Sequence, residues 1–444
     1  MGTRDLTTGS IKGHLVYLMI PLIFGNILQQ LYNTIDALVL GRFAGAEEFA
    51  SIGIAGAVMN LFLFAIVGAT TGIAVIFAQA YGAGDMERYR KAHFWTLLIG
   101  LVVTMAGSVL AILCMRLILW GIQTPTELFA YVESYLFIIF ILLPVTYIYN
   151  MYTSLLRSVG NTKMQLMILA IAVAINLGLD VLFIARFDMG IRGAAWATAI
   201  AQTISAVSCV LYMRIKMPDL MFGRKHCGWN QELVKRILHF GFVTGIHQSG
   251  LYIGKLLVQG AVNTGGTELI SAYTATTRIE GFANSFGDSG AAVTSVVTAQ
   301  NYGAKKKERV IETYRASMLI LFLLGIFCSV IMILSADMTV SFVLGKSSGD
   351  AFESAKQYII IISIFYTLCF IGNTFAGFFE GVGKVFFPFI GAATHITMRV
   401  ILSWMFIGQG GLSTVAIATG IGWIYVNILW EILYLRQKKR IRKL

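Results

Sequence analysis

Two aspartates stand where carboxylates are expensive. Asp36 lies in the apolar stretch from Leu31 to Val39, and Asp180 in the stretch from Ile175 to Val181. Ionisable groups inside apolar spans are rare and usually functional. Asn176 precedes Asp180 by four residues, so on a helix the amide and the carboxylate share one face. Thr198, in the following apolar run, offers a hydroxyl to the same cluster. Two carboxylates, an amide oxygen and a hydroxyl form a hard, oxygen-only donor set, suited to a small cation such as Na+. The set suits H+ equally, because burial and a neighbouring carboxylate both favour the protonated acid. A structural role is also open, in which each Asp caps or pairs with a neighbour. No Lys or Arg lies within a helical turn of either one, which favours function.

The later part of the chain carries a different set: Lys255, Arg278, Glu280, Asp288, Glu380 and Arg399. Three charges of each sign suggest internal pairing, the habit of charges inside membranes. The other reading is a partly cationic cavity wall, which would favour an anionic substrate. Gln29, Tyr32, Tyr135 and Asn150 are polar groups in otherwise apolar runs. They either line a cleft or hydrogen-bond between helices. Pro21 interrupts the first run fifteen residues before Asp36 and predicts a kink there, since proline removes one helical hydrogen bond.

The elements that position these groups are membrane helices. The 444-residue chain is 57% hydrophobic and only 13% charged, with a mean hydropathy of +0.76. Soluble domains carry roughly 25% charged residues. About 20 apolar residues cross a bilayer, and twelve runs qualify. They are 14–40, 51–78, 93–119, 129–155, 164–185, 191–213, 236–260, 269–298, 314–336, 355–379, 386–407 and 413–435. The fold expected is an all-α polytopic membrane protein. Little chain remains for a soluble catalytic domain.

Loop charges orient the spans. Lys and Arg crowd the ends and alternate loops: Arg4 and Lys12; 88–91; 157–163; 214–236; 305–315; Lys384; and 436–443. The intervening loops hold Arg42, Arg116, Arg186, Arg192 and Lys346. The positive-inside rule then places both termini in the cytoplasm of a multi-pass protein of the cytoplasmic (inner) membrane. The net charge of +12 is thus a matter of topology and not of nucleic-acid binding. The segment Met1 to Gly13 is polar and the following apolar run too long for a cleavable signal.

The halves repeat. Ala78-Gln79-Ala80-Tyr81-Gly82-Ala83 returns as Ala299-Gln300-Asn301-Tyr302-Gly303-Ala304, Val159-Gly160 as Val382-Gly383, and Ala197-Thr198 as Ala418-Thr419. The domains expected are an N-terminal lobe at 1–213 with six spans, a cytoplasmic linker at 214–235, and a C-terminal lobe at 236–444 with six spans and a basic tail. An even number per half makes the repeats parallel, related by an axis along the membrane normal. Two pseudo-symmetric six-helix lobes around a central cleft, rocking to give alternating access, are the expected architecture. In the repeat, Asn176 and Asp180 align with Arg399 and Ser403, so the acidic cluster belongs to the first lobe alone.

Other classes fit poorly. Gly345-Lys346-Ser347 resembles the end of a P-loop, but the glycine required five residues earlier is Val340. Six histidines show no HExxH spacing, no GxSxG elbow is present, and the five cysteines lack metal or disulfide spacing. The expectation is a non-enzyme without cofactor, binding neither nucleotide nor nucleic acid and acting as a monomer on small amphipathic molecules within the lipid bilayer.

The pattern Pro21, Gln29, Tyr32, Asp36, Gly41-Arg42, the duplicated Gln-x-Tyr-Gly-Ala element, and Asn176 with Asp180 resemble the MATE (multidrug and toxic compound extrusion) family, most closely its DinF-like branch. The resemblance covers about residues 14–435. It implies a secondary antiporter that expels hydrophobic, mostly cationic drugs in exchange for Na+ or H+. It implies a first-lobe cation site at Asp36, Asn176, Asp180 and Thr198, a substrate cleft approached by Gln29, Tyr32, Tyr135 and Asn150, and a hinge at Pro21. The chain departs from NorM-like members in the second lobe. There the seventh span offers Lys255 and the tenth Asn373 with Glu380, so a coupling site in that lobe is not expected. An exporter or flippase of an anionic or lipid-linked substrate from the same superfamily is the alternative.

Overall fold

The computed structural model describes residues 2–443 except Ala44. The side chains of Asn33, Thr34, Asp36, Ala37, Leu38, Leu40, Ala46 and Lys443 lie outside the description. Among the described residues there are helices and turns and no strand, as the lack of water in a bilayer core demands of a spanning backbone that is not a closed barrel. In order the helices are α1 (Ile11–Phe43), α2 (Ala46–Gly82), α3 (Met86–Leu113), α4 (Met115–Gly121), α5 (Thr126–Ile141), α6 (Leu143–Ser158) and α7 (Thr162–Asp180). There follow α8 (Gly190–Lys216), α9 (Gln231–Asn263), α10 (Thr267–Gly303), α11 (Lys307–Leu334), α12 (Ala336–Leu344), α13 (Asp350–Gly381) and α14 (Phe386–Lys443).

Among the described residues, eight helices are long and apolar enough to cross a membrane. The pair α5 and α6, bent by 49° at Leu142 and Leu143, forms a ninth when taken as one span. Pro144, at the start of α6, lacks the amide proton that would continue α5. The run α14 has the length of two spans and breaks at Gly411, whose φ of 54° and ψ of −141° are open only to glycine. Helices α9 and α10, at 33 and 37 residues, have the length but a more polar composition. The twelve sequence-derived runs all fall on helix, but 93–119 passes from α3 into α4, 129–155 from α5 into α6 across the bend, and 314–336 from α11 to the start of α12.

The chain divides into two compact units. One joins the residues before Asp5 to Phe24–Gly245, and the other joins Asp5–Ile23 to Ile246 and beyond. The boundaries therefore fall inside α1, two residues after Pro21, and inside α9. The polar stretch 214–235 does not separate the units. It packs against α3, where Arg90 Nε donates to the Asp219 carbonyl at 2.6 Å and Trp95 Nε1 to the Gly228 carbonyl at 3.1 Å.

In the first unit α2 packs on α5 and α6, and α8 on α6 and α7. In the second, α13 runs through the centre against α10, α11 and α14. Its close approach to α10 depends on Gly377 and Gly381, where a Cβ would strike the carbonyls of Ala291 and Ser295. This is the small-xxx-small pattern of membrane helix pairs. The other side of α13 supplies Phe375, Phe378 and Phe379 to an aromatic core with Tyr314, Trp430 and Tyr434.

The duplicated elements have matching structural roles. Gly160 and Gly383 both take positive φ, 76° and 81°, at the ends of their helices. The Gln-x-Tyr-Gly-Ala glutamine fastens the incoming chain in each unit. Gln79 accepts from Arg236 at the start of α9, and Gln300 Oε1 accepts from the Leu6 amide at 3.0 Å. Residues 5–9 are held further by Lys306 Nζ on the Thr7 carbonyl (2.8 Å) and Arg309 on the Gly9 carbonyl (2.9 Å).

Candidate functional site: a buried oxygen cluster and its repeat

Asn176 and Asp180 lie in the last turn of α7 and are 3% and 0% exposed. The Asn176 amide is assigned, from its hydrogen-bonding surroundings, the orientation in which both of its polar atoms meet complementary partners. Its nitrogen then donates to Asp180 Oδ2 and to Tyr32 Oη, each at 2.9 Å, and its oxygen accepts from the Thr198 amide at 3.1 Å. Helices α7, α1 and α8 thus converge on one buried amide. Thr198 enters through its backbone N–H and not through the hydroxyl that sequence suggested. Tyr32, expected beside a substrate cleft, is part of the cluster. The side chain of Asp36 lies outside the described residues.

Directly after Asp180 the chain widens into a π-helical turn, Val181–Arg186, in which the Phe187 amide reaches back five residues to the Leu182 carbonyl at 3.0 Å. Such turns insert a residue into a helix and occur often at functional sites. Nothing in the sequence pattern announces it. The start of α8 is fixed by Glu48, whose Oε2 accepts from the Ile191 amide at 3.0 Å. An anion at a helix N-terminus is favourable.

The other expected cleft residues are dispersed. Gln29 is exposed on α1. Tyr135 is 6% exposed, its hydroxyl 3.9 Å from Met59 Sδ. Asn150 Nδ2 donates to the Thr146 carbonyl of its own helix at 2.8 Å. Pro21 is buried within α1. Among the described residues, no three His, Cys, Asp or Glu side chains converge as metal ligands. The oxygen cluster, with its amide, phenol and backbone, differs from a metal-chelating centre of that kind.

The second unit corrects the pairing expectation. Among the described residues none of Lys255, Arg278, Glu280, Asp288 and Arg399 forms an ion pair. Tyrosines take the charged groups instead. Glu280 Oε2 accepts from Tyr358 Oη at 3.3 Å, and Arg399 donates to Tyr273 Oη at 3.4 Å. Tyr366 Oη donates to Asn284 Oδ1 at 3.0 Å. Lys255, Arg278 and Asp288 are exposed. Equal numbers of opposite charges along a sequence fix no geometry, because pairing requires side chains on facing helices to meet.

Comparison with known proteins gives one consistent family. A family model described as MatE matches residues 21–182 and again 244–405. The chain is 29% identical over 316 residues to "Probable multidrug resistance protein YpnP" of Bacillus subtilis (strain 168), covering 70% of this chain and 69% of that protein. It is 24% identical over 388 residues to "Probable multidrug resistance protein NorM" of Thermotoga maritima, covering 86% and 82%. Its fold matches the outward-facing conformation of a multidrug resistance MATE family transporter of the MOP superfamily, with a TM-score of 0.92, 20% identity and 100% of both chains covered.

Proposed function

The chain belongs to the MatE family, and from that premise we propose that it is a secondary active antiporter of the cytoplasmic membrane, both termini inside, exporting hydrophobic, mostly cationic drugs or toxic compounds. The relatives are named for multidrug resistance, which supports the substrate class. The observation that carries the coupling mechanism is the buried cluster of Asn176, Asp180, Tyr32 and the Thr198 amide.

In this reading Na+ or H+ occupies the cluster together with Asp36, which follows Tyr32 by one helical turn. A carboxylate at zero exposure gains strongly from a cation or proton, since an isolated buried charge is costly. Loading Asp180 changes what Asn176 donates to, and Asn176 also holds Tyr32 of α1. The coupling ion thereby biases the bend of α1 at Pro21, and the two bends correspond to the inward- and outward-open states of alternating access. Gln29, Tyr135 and Asn150 approach the drug.

The test is drug efflux from proteoliposomes with Na+ and pH gradients imposed separately, for wild type, Asp36→Asn and Asp180→Asn. Export driven by one gradient and lost in both variants is expected. Export undiminished in both variants removes the cluster from the mechanism. The alternative, an exporter or flippase of an anionic or lipid-linked substrate, has one observation in its favour: Lys255, Arg278 and Arg399 form no ion pair among the described residues.

A further inference from the structure

In the first half of α14, His395, Arg399 and Ser403 recur every four residues and so line one helical face. Each carries a shielded polar atom without a partner: His395 Nε2, Arg399 Nε and Ser403 Oγ. Ser403 is fully buried. Many helical hydroxyls in this chain are satisfied by the carbonyl four residues earlier, as at Ser205, Ser363 and Thr419 (2.7, 2.5 and 2.7 Å). Ser403 makes no such bond. Unpartnered hydroxyls at Thr294 and Thr298 lie where α10 meets the glycines of α13, a packing contact. The α14 face has a guanidinium at its centre.

Arg399 has five N–H donors and spends one, on Tyr273 at 3.4 Å. Glu280 is close enough to feel the charges of Arg399 and Lys255, yet pairs with neither. A shielded donor left unmet costs about 1–3 kcal/mol, more when charged. Fourteen such side-chain atoms occur among the described residues, and on this face three of them follow one another around a guanidinium, where one ligand could meet all three. Beside it stands an aromatic wall. Trp423 stacks on His395 with ring centroids 6.0 Å apart and planes 4° apart, and Tyr366 meets Trp423 edge-on at 5.6 Å. In the repeat, Arg399 and Ser403 occupy the positions of Asn176 and Asp180.

We propose that this face of α14 is a binding site for the acidic group, carboxylate or phosphate, of a soluble amphipathic molecule whose apolar part lies against Trp423, which Tyr366 backs edge-on. Arg399 supplies the charged fork, Ser403 a hydroxyl donor, and His395 a ring nitrogen that accepts or donates according to its tautomer. Lys255, exposed and unpaired, adds positive charge nearby and outweighs the local carboxylates only together with Arg399 and Arg278. The site deepens the reading of an anionic substrate. Binding is measured without any gradient, so its failure leaves the coupling cluster of the first unit untouched.

The experiment is calorimetric titration of the full-length protein in phosphatidylcholine nanodiscs with dodecyl phosphate, laurate, inorganic phosphate and dodecyltrimethylammonium. Saturable, salt-sensitive binding of the first two is expected. Arg399→Gln should weaken it by roughly tenfold or more, as loss of one partner in a buried charged contact does, and Arg399→Lys should fall between. Where Arg399→Gln fails to fold, Ser403→Ala carries the test, with a loss of about twofold to fivefold. Unchanged affinity in a variant with wild-type thermal unfolding overturns the site. So does dodecyltrimethylammonium binding that Arg399→Gln weakens as much as it weakens dodecyl phosphate. Inorganic phosphate binding as tightly as dodecyl phosphate overturns the amphipathic class. Competition by phosphatidylglycerol added to the disc would overturn the assignment to a soluble molecule.

Discussion

The end of α7 and the first half of α14 hold the same place in a duplicated sequence and carry opposite chemistry. In α7 the pair is Asn176 and Asp180, an amide and an acid, with the amide meeting Asp180, Tyr32 and the Thr198 N–H. In α14 the pair is Arg399 and Ser403, each with an unpartnered polar atom. Around them the scaffold persists. The Gln-x-Tyr-Gly-Ala glutamines fasten incoming chain in both units, and left-handed glycines end α6 and α13 alike. Backbone geometry and helix contacts are constrained by packing. A buried polar face is constrained only by what it binds. Duplication therefore preserves the frame and leaves the sign of the site open.

The largest expected effect comes from moving one residue of the second face into the first. Asn176→Arg would place a guanidinium beside Asp180 and compete with the coupling cation, lowering gradient-driven export by on the order of a hundredfold. Unaltered export with either gradient would break the comparison at its centre. The frame is tested next. Gly377 and Gly381 correspond in the repeat to Ser154 and Ser158, both buried in α6. Gly377→Val meets the Ala291 carbonyl and should cost about 2–3 kcal/mol, seen as a clear drop in unfolding temperature in detergent.

A smaller effect sharpens the loop comparison. Gly84, after the first Gln-x-Tyr-Gly-Ala element, has φ of 71°, and its counterpart Lys305 holds 56° with a side chain. Lys305→Gly should stabilise the protein by about 1 kcal/mol, and Gly84→Lys should do the reverse in thermal unfolding. Asp5 gives the smallest. Partial burial pushes its carboxyl up, but hydrogen bonds from Thr7 and Thr8 and the nearby Lys306 outweigh this and hold it below the ordinary carboxylate range. A depressed acid stabilises the fold above its ordinary range, and that contribution is lost as pH falls through the lowered value. Asp5→Ala should flatten the acid side of a stability–pH profile, lowering stability slightly at neutral pH and leaving it unchanged at strongly acid pH.

What was legible in the sequence follows from periodicity and punctuation. Apolar runs gave the rods, including the break near 408–412 that Gly411 produces. Four-residue spacing put Asn176 and Asp180 together because helix geometry leaves no choice. Contacts that depend on other helices were not legible. Tyr32 and the backbone of Thr198 reach Asn176 from α1 and α8, and no local pattern encodes such a meeting. The π-helical turn after Asp180 has no compositional mark. Charge balance in the second half suggested pairing, and tyrosines took those partners instead.

The division of α1 and α9 between the two units has a consequence for synthesis. The first unit includes 231–245 from the later half of the chain, and the second includes 5–23 from the earlier half. Neither half, expressed alone, contains a whole unit. During translation the first unit stays incomplete until the start of α9 has been made, and the strap at 5–10 waits for Gln300, Lys306 and Arg309. Maturation is therefore a joint event late in synthesis, and a gene cut between the halves should yield stable protein only when both pieces are made together.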